Sequence, residues 1–178
     1  MLVIDTCSLV NLVRYYLPFD KNSILFNFIK TKVESKEIIV IDKVYEECSY
    51  VAKRIVVNEL PFLKSNTINT SEYLPDKQFF HYTDNDFVNA VAKNKLSPEL
   101  FEVEKSKFLE GADAKLLLFC KNNKNLITEP CIITEETEGS NDNKPFKKIP
   151  TLCKTLLIDT ITLPTLLSQL KGIDIVFK

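Results

Sequence analysis

The sequence predicts an α/β fold: a three-layer sandwich in which a central parallel sheet is flanked by helices. Three observations lead there. Short runs of branched aliphatic residues occur without alternation at Leu2–Ile4, Ile38–Ile41 and Cys131–Thr134, the pattern of strands buried on both faces. Between them lie longer stretches with apolar residues at helical spacing. Strands that alternate with helices imply right-handed crossovers and hence parallel pairing. With 178 residues, 45% hydrophobic and 26% charged, a single domain over 1–178 with a real core is expected.

In chain order, Leu2–Ile4 is the first strand and Asp5 ends it. Leu9, Val10, Leu12, Val13, Tyr16 and Leu17 then recur at helical spacing until Pro18 stops them. Ile24, Leu25, Phe28, Ile29 and Val33 mark a second amphipathic helix. Ile38–Ile41 is the second strand, with Asp42 in the place of an N-cap. One helix from about 43 to 59 should carry Val44, Cys48, Val51, Ile55 and Val56 inward. Residues 60–83, with Pro61 and Pro75, show no period and read as loop. Helices follow at 84–95 and 98–109, Gly111 breaks the pattern, and 112–122 is a strong helix. Cys131–Thr134 is the third strand. The polar stretch 135–148 reads as a surface loop. A helix at 149–157 opens with Pro150, Ile158 begins a fourth strand, and a last helix covers 162–171, with Pro164 in its first turn and Gly172 at its end.

Composition excludes several function classes. Lys and Arg number 23 against 24 Asp and Glu, a net charge of −1, so a generally basic nucleic-acid binder is excluded although a local basic face is not. Only Gly111, Gly139 and Gly172 are glycines, which leaves neither a dinucleotide loop nor a P-loop. The lone histidine, His81, rules out two-histidine hydrolytic chemistry and reads as structural. Five cysteines, with no C-x-x-C pair, argue against a zinc ribbon or a disulfide framework. No apolar run reaches the roughly 18 residues of a membrane span, and the N-terminus lacks a basic leader segment. A reduced, cytoplasmic protein is expected.

The chemistry lies in acids placed where apolar residues or strand ends belong. In an open parallel sheet, sites form beyond the carboxyl ends of the strands. Asp5 ends the first strand, and Glu135 and Glu136 follow the third. Glu47 falls between Val44 and Val51 on an inward stripe, and Asp113 shares a face with Leu116, Leu117 and Cys120. Inward carboxylates are unfavourable unless paired or bound to a cation. Two of them about 4 Å apart repel by roughly 1 kcal/mol in water and roughly 4 at an effective dielectric of 20. Oxygen ligands without histidine suit Mg²⁺ or Mn²⁺ rather than zinc, and such an ion supports hydrolysis of a phosphodiester. Taken singly, the acids have plainer readings. Asp5 could be a helix cap, Asp113 a first-turn acid favoured by the helix dipole, and Glu135–Glu138 a solvated acidic loop.

In their order, these residues resemble the PIN-domain family of metal-dependent nucleases, which includes many toxin ribonucleases. The resemblance covers roughly residues 1–160. It rests on Val3-Ile4-Asp5-Thr6-Cys7-Ser8-Leu9, on Ile41-Asp42-Lys43-Val44-Tyr45-Glu46-Glu47, on Gly111-Ala112-Asp113-Ala114 and on Ile132-Ile133-Thr134-Glu135-Glu136. It is closest to a small subgroup that continues with a tail like Lys148-Ile149-Pro150-Thr151-Leu152-Cys153. The resemblance implies a PIN-like α/β sandwich and Mg²⁺ or Mn²⁺ held by Asp5, Glu47 and Asp113. Glu136 would be the fourth acid, with Thr6 and Thr134 as supporting hydroxyls. The family more usually has Asp at the fourth position, and either Glu135 or Glu136 can fill it here. The activity implied is that of an endoribonuclease, the toxin of a toxin–antitoxin pair, with a partner antitoxin protein and a homodimeric form.

An RNA substrate requires basic residues at the rim of an acidic cleft. Lys144, Lys147 and Lys148, beside the fourth acid, are the expected substrate contacts, whereas Lys121 and Lys124 read as lysines at a helix C-terminus. The aromatics Tyr15, Tyr16, Phe79, Phe80 and Tyr82 read as core or a dimer surface rather than base-stacking platforms. Two rivals remain. One is a catalytically inactive PIN-like module that binds RNA or protein. The other is an aspartyl-phosphate phosphatase, disfavoured because Cys7 stands where its second acid belongs.

Overall fold

A computed structural model describes residues 1–125, 127, 129–139 and 144–169. The first strand, β1 (Leu2–Ile4), lies between β2 (Ile38–Ile39) and β3 (Cys131–Ile133), and β4 (Asp159–Ile161) pairs with β3. The order is β2-β1-β3-β4 and every pairing is parallel. Leu2 faces Ile38 and Cys131 across the sheet, and Ile4 faces Ile133. The expected three-layer α/β sandwich with a central parallel sheet is therefore what the chain adopts. Val3, Ile4, Ile132 and Ile133 are fully enclosed because helices cover both faces.

Helix α1 (Thr6–Asn11) leaves β1 directly after Asp5. It runs into a π-turn over Leu12–Tyr16 and a 3-10 turn over Leu17–Phe19, so the expected single helix loosens before Pro18 ends it. Helix α2 (Ile24–Glu34) buries Leu25, Ile29 and Val33, as its spacing predicted. The expected 43–59 helix is instead two: α3 (Asp42–Cys48) and α4 (Ile55–Glu59). Between them Ala52, Lys53 and Arg54 all adopt left-handed backbone, with φ of 51, 56 and 62°. The reversal lets Cys48 and Val56, at the two ends of the break, both reach the core. Asp42 is the first residue of α3 rather than its cap, and its carboxylate accepts from the backbone N–H and hydroxyl of Thr70.

The 60–83 region is not all loop. A 3-10 turn spans Pro61–Ser65, and α5 (Lys77–Asn85) begins where Asp76 accepts a capping bond from Phe79 N at 2.7 Å. Consequently the expected 84–95 helix shrinks to the single turn α6 (Ala90–Lys93), because Phe87 and Val88 are drawn out to meet Phe146. Helices α7 (Pro98–Glu110) and α8 (Ala112–Asn123) meet at Gly111, as expected. Helix α9 (Ile149–Leu156) and β4 follow, then α10 (Leu163–Gln169); Gly172 lies outside the described residues. One continuous core joins all four strands with α1–α5 and α7–α10. Among the described residues no helix is long and apolar enough to cross a membrane.

Candidate active site

The carboxyl ends of β1 and β3 sit side by side, and each hands the chain to an acid. Asp5 N donates to Ile133 O at 3.0 Å, so the residue after β1 is still tied to β3. Asp5 is 4% exposed. It holds the N-cap position of α1, yet its side chain makes no capping bond, so the plain helix-cap reading fails. The carboxylate instead accepts two hydrogen bonds at Oδ2, from the Thr134 hydroxyl at 2.9 Å and the Cys7 thiol at 2.8 Å. Burial pushes Asp5 up to about 6, these two donors work against the rise, and the Glu136 charge adds to it.

Glu47 reaches the same region from α3, where its Oε2 accepts from the Thr6 hydroxyl at 2.7 Å. Thr6 is thus a support for Glu47 from the other strand–helix junction. Asp113 enters from the first turn of α8. Its carboxyl is pushed up to about 7, first by burial and then by the charges of Asp5, Glu136 and Glu47. The opposing influence is the positive charge of Lys144. A first-turn acid that merely answered a helix dipole would be lowered, so this rise reports burial first and crowding of acids second.

The adjacent pair Glu135 and Glu136 is resolved by direction. Glu136 lines the cleft beside Glu47 and Asp113, and its Oε2 accepts from Ile149 N at 2.9 Å, at the start of α9. Glu135 turns away to Leu163 N at the start of α10, and its charge raises the Tyr16 phenol behind burial as the main cause. Thr134 joins the two junctions: its hydroxyl donates to Asp5 and accepts from Glu136 N at 3.2 Å.

A cleft of ≈ 370 Å³ is lined by Glu47, Asp113 and Glu136, with Lys107, Lys144, Lys147 and Lys148 also on its lining. The three expected substrate lysines therefore share a cleft with three of the four expected acids. Asp5 lies beneath, hydrogen-bonded into the support. Lys121, by contrast, pairs with Asp76, and Lys124 donates to Leu157 O, which is the structural role expected for both. Phe79 is core, and His81 is exposed with its ring beside the Asn85 amide.

Sequence reasoning missed four participants. Cys7 is a donor to Asp5, and burial followed by the Asp5 charge pushes its thiol up to about 12. Tyr50, 69% exposed, and Phe108 and Phe146 line the cleft. Tyr50 could have been found: it follows Glu47 by one helical turn. Phe146 could not, since its polar surroundings in sequence conceal an aromatic cluster. Lys115, 9% exposed, was also missed; it donates to the carbonyls of Thr70 and Tyr73 and ties α8 to the preceding loop.

As a donor set, four carboxylates and two hydroxyls have the hardness that Mg²⁺ or Mn²⁺ requires. As placed, three of the carboxylates, Asp5, Glu47 and Glu136, are separately engaged by Thr134, Thr6 and Ile149, and among the described residues no three His, Cys, Asp or Glu side chains form a ready-made metal group. All five cysteines are unpaired thiols.

No curated protein and no solved structure matches this chain. A family profile matches residues 2–172, and by that span the chain belongs to the family described as a domain of unknown function, DUF4411.

Proposed function

We propose that the cleft is the active centre of a Mg²⁺- or Mn²⁺-dependent endoribonuclease. One observation carries this: acids from four separate stretches of chain, Asp5, Glu47, Asp113 and Glu136, share one electrostatic neighbourhood at a cleft that lysines also line. A fold has no structural need to raise two buried carboxyls to about 6 and 7 in one place, and such clustering marks candidate sites. The resemblance of the same residues to the PIN-domain motifs points the same way.

In this reading Asp5, Glu47, Asp113 and Glu136 would hold the cation, with Thr6 and Ile149 N each engaging a single oxygen of Glu47 and Glu136 and leaving the other to the ion. The chemistry a divalent ion supplies at such a site is activation of water and neutralisation of charge developing at phosphorus. The chain's own residues do the rest. Thr134 and Cys7 fix one oxygen of Asp5 and so orient the other. Lys144, Lys147 and Lys148 take the flanking phosphates, and the exposed ring of Tyr50 offers a face to an unpaired base. The biological setting implied by the resemblance is a cytoplasmic toxin restrained by an antitoxin protein, acting as a monomer or homodimer; five unpaired thiols accord with a reducing compartment.

The test is cleavage of RNA by the purified protein with Mg²⁺ or Mn²⁺, abolished in Asp5→Asn and Asp113→Asn. Full activity in EDTA overturns the mechanism, and turnover of a phosphate monoester but not RNA would return the phosphatase reading. A second reading, an inactive PIN-like module that binds RNA or protein, is favoured by the internal satisfaction of Asp5, Glu47 and Glu136. It predicts RNA binding that is indifferent to Mg²⁺ and without turnover.

A further inference from the structure

The segment 144–148 is held across the helical arm formed by α5–α7. Asn89 N donates to Pro145 O at 2.8 Å and Lys147 N to Phe87 O at 2.9 Å, framing an antiparallel bridge between Val88 and Phe146. Lys147 Nζ also reaches Asp86 O at 2.7 Å. At its centre the Phe146 ring stacks on Phe108, with centroids 4.3 Å apart and planes 12° apart, and on Phe101 at 6.0 Å. Phe108 belongs to the last turn of α7, where its carbonyl accepts from Gly111 N at 3.0 Å, two residues before Asp113. One aromatic stack thus links the lysine-bearing segment to the turn that places an acid.

We propose that Phe146 is the positioning residue of the substrate-binding wall: its stack on Phe108 and Phe101 holds Lys144, Lys147 and Lys148 opposite Glu47, Asp113 and Glu136, so that the cleft grips the phosphate backbone of a single-stranded RNA. The inference rests on the ribonuclease reading of the cleft. A lysine on a free loop gives up backbone and side-chain freedom when it binds phosphate, which weakens the contact. Three lysines on a segment already pinned by two backbone bonds and a ring stack give up less. The ring carries no charge, so any change it makes in the salt dependence of binding has to pass through the lysines it holds.

That indirectness makes the proposal testable. Binding of a labelled single-stranded oligoribonucleotide is measured by fluorescence anisotropy across a salt series, with Ca²⁺ as the cation. Lys144→Ala should weaken binding several-fold and lower the slope of log K against log salt by about 1. Phe146→Ala should weaken it about tenfold and lower the slope by about 1–2, although no charge has been removed. Phe146→Leu, which keeps most of the apolar bulk and loses the stack, should weaken it about threefold; it carries the test if the alanine variant melts below the assay temperature. Unchanged affinity in both Phe146 variants, or weaker binding at an unchanged salt slope, overturns the positioning role alone. No binding by the parent protein overturns it together with the ribonuclease reading.

Discussion

Asp113 shows how a single side chain can be at odds with its fold. Its carboxyl is raised from 3.8 to about 7 by burial and by the neighbouring acids Asp5, Glu136 and Glu47. Folding therefore favours its protonated form. Below pH 3.8 the group is neutral in folded and unfolded chains alike and carries no penalty. As pH rises from 3.8 through 7, the unfolded chain ionises first and the folded state loses relative stability, so the penalty is complete above about pH 7. Asp113→Asn should accordingly stabilise the metal-free protein at pH 8 by on the order of 2 kcal/mol and do little at pH 5. Thermal melts at the two pH values in EDTA check this; equal effects at both, or a loss at pH 8, would mean that Asp113 has a favourable partner and is not crowded. Glu47 and Glu136 each accept from a neutral hydroxyl or backbone donor.

Among the elements, the junction of α7 and α8 governs where that acid stands. Gly111 has φ of −75°, an ordinary value, so its lack of a side chain matters for space and not for backbone freedom. A Cβ there would meet Lys107 O at 3.2 Å and Phe108 O at 3.3 Å, both backbone atoms of the last turn of α7. Gly111→Ala should therefore lower stability by about 1 kcal/mol and, by easing α8 away from α7, reduce RNA cleavage more than stability. An unchanged melting temperature together with unchanged cleavage would show the close approach to be inconsequential. This junction was legible in the sequence because a glycine interrupted two periodic stretches. Helices α2 and α9 were legible from apolar residues at helical spacing, and α8 from an apolar run that is buried on all sides. The break between α3 and α4 was not: Val51, Ile55 and Val56 keep the periodicity of a continuous helix, and no glycine or asparagine advertises the left-handed turn at Ala52–Arg54. Helix α5 was hidden by Pro75, although Asp76 three residues before Phe79 is a readable cap.

At the scale of the whole molecule, the strand order β2-β1-β3-β4 sets β1 beside β3, so Asp5 and Glu136 follow neighbouring strands, while Glu47 from α3 and Asp113 from α8 reach the same neighbourhood. This gathering was legible from acids at strand ends and on apolar stripes. The opposing wall was legible only as a run of lysines, since its placement depends on ring stacking between segments about 40 residues apart in sequence. Under the metal-dependent reading proposed for the cleft, ion binding would be coupled to folding and to protons at once. A divalent cation that binds the folded chain alone raises stability by mass action, by about 2.7 kcal/mol at a hundredfold excess over Kd, or roughly 5–10 °C for a chain of this size. Because Asp5 and Asp113 hold protons up to about pH 6 and 7, protons compete with the ion, so the gain from Mg²⁺ or Mn²⁺ should be large at pH 8 and shrink to a degree or two at pH 5.5. The same titration in Asp113→Asn, already relieved of its crowding, should give a small shift at both pH values. Differential scanning fluorimetry with and without the ion reads all four conditions. A shift equal at the two pH values, or undiminished in Asp113→Asn, would place the ion elsewhere on the surface and remove the acids from the chemistry.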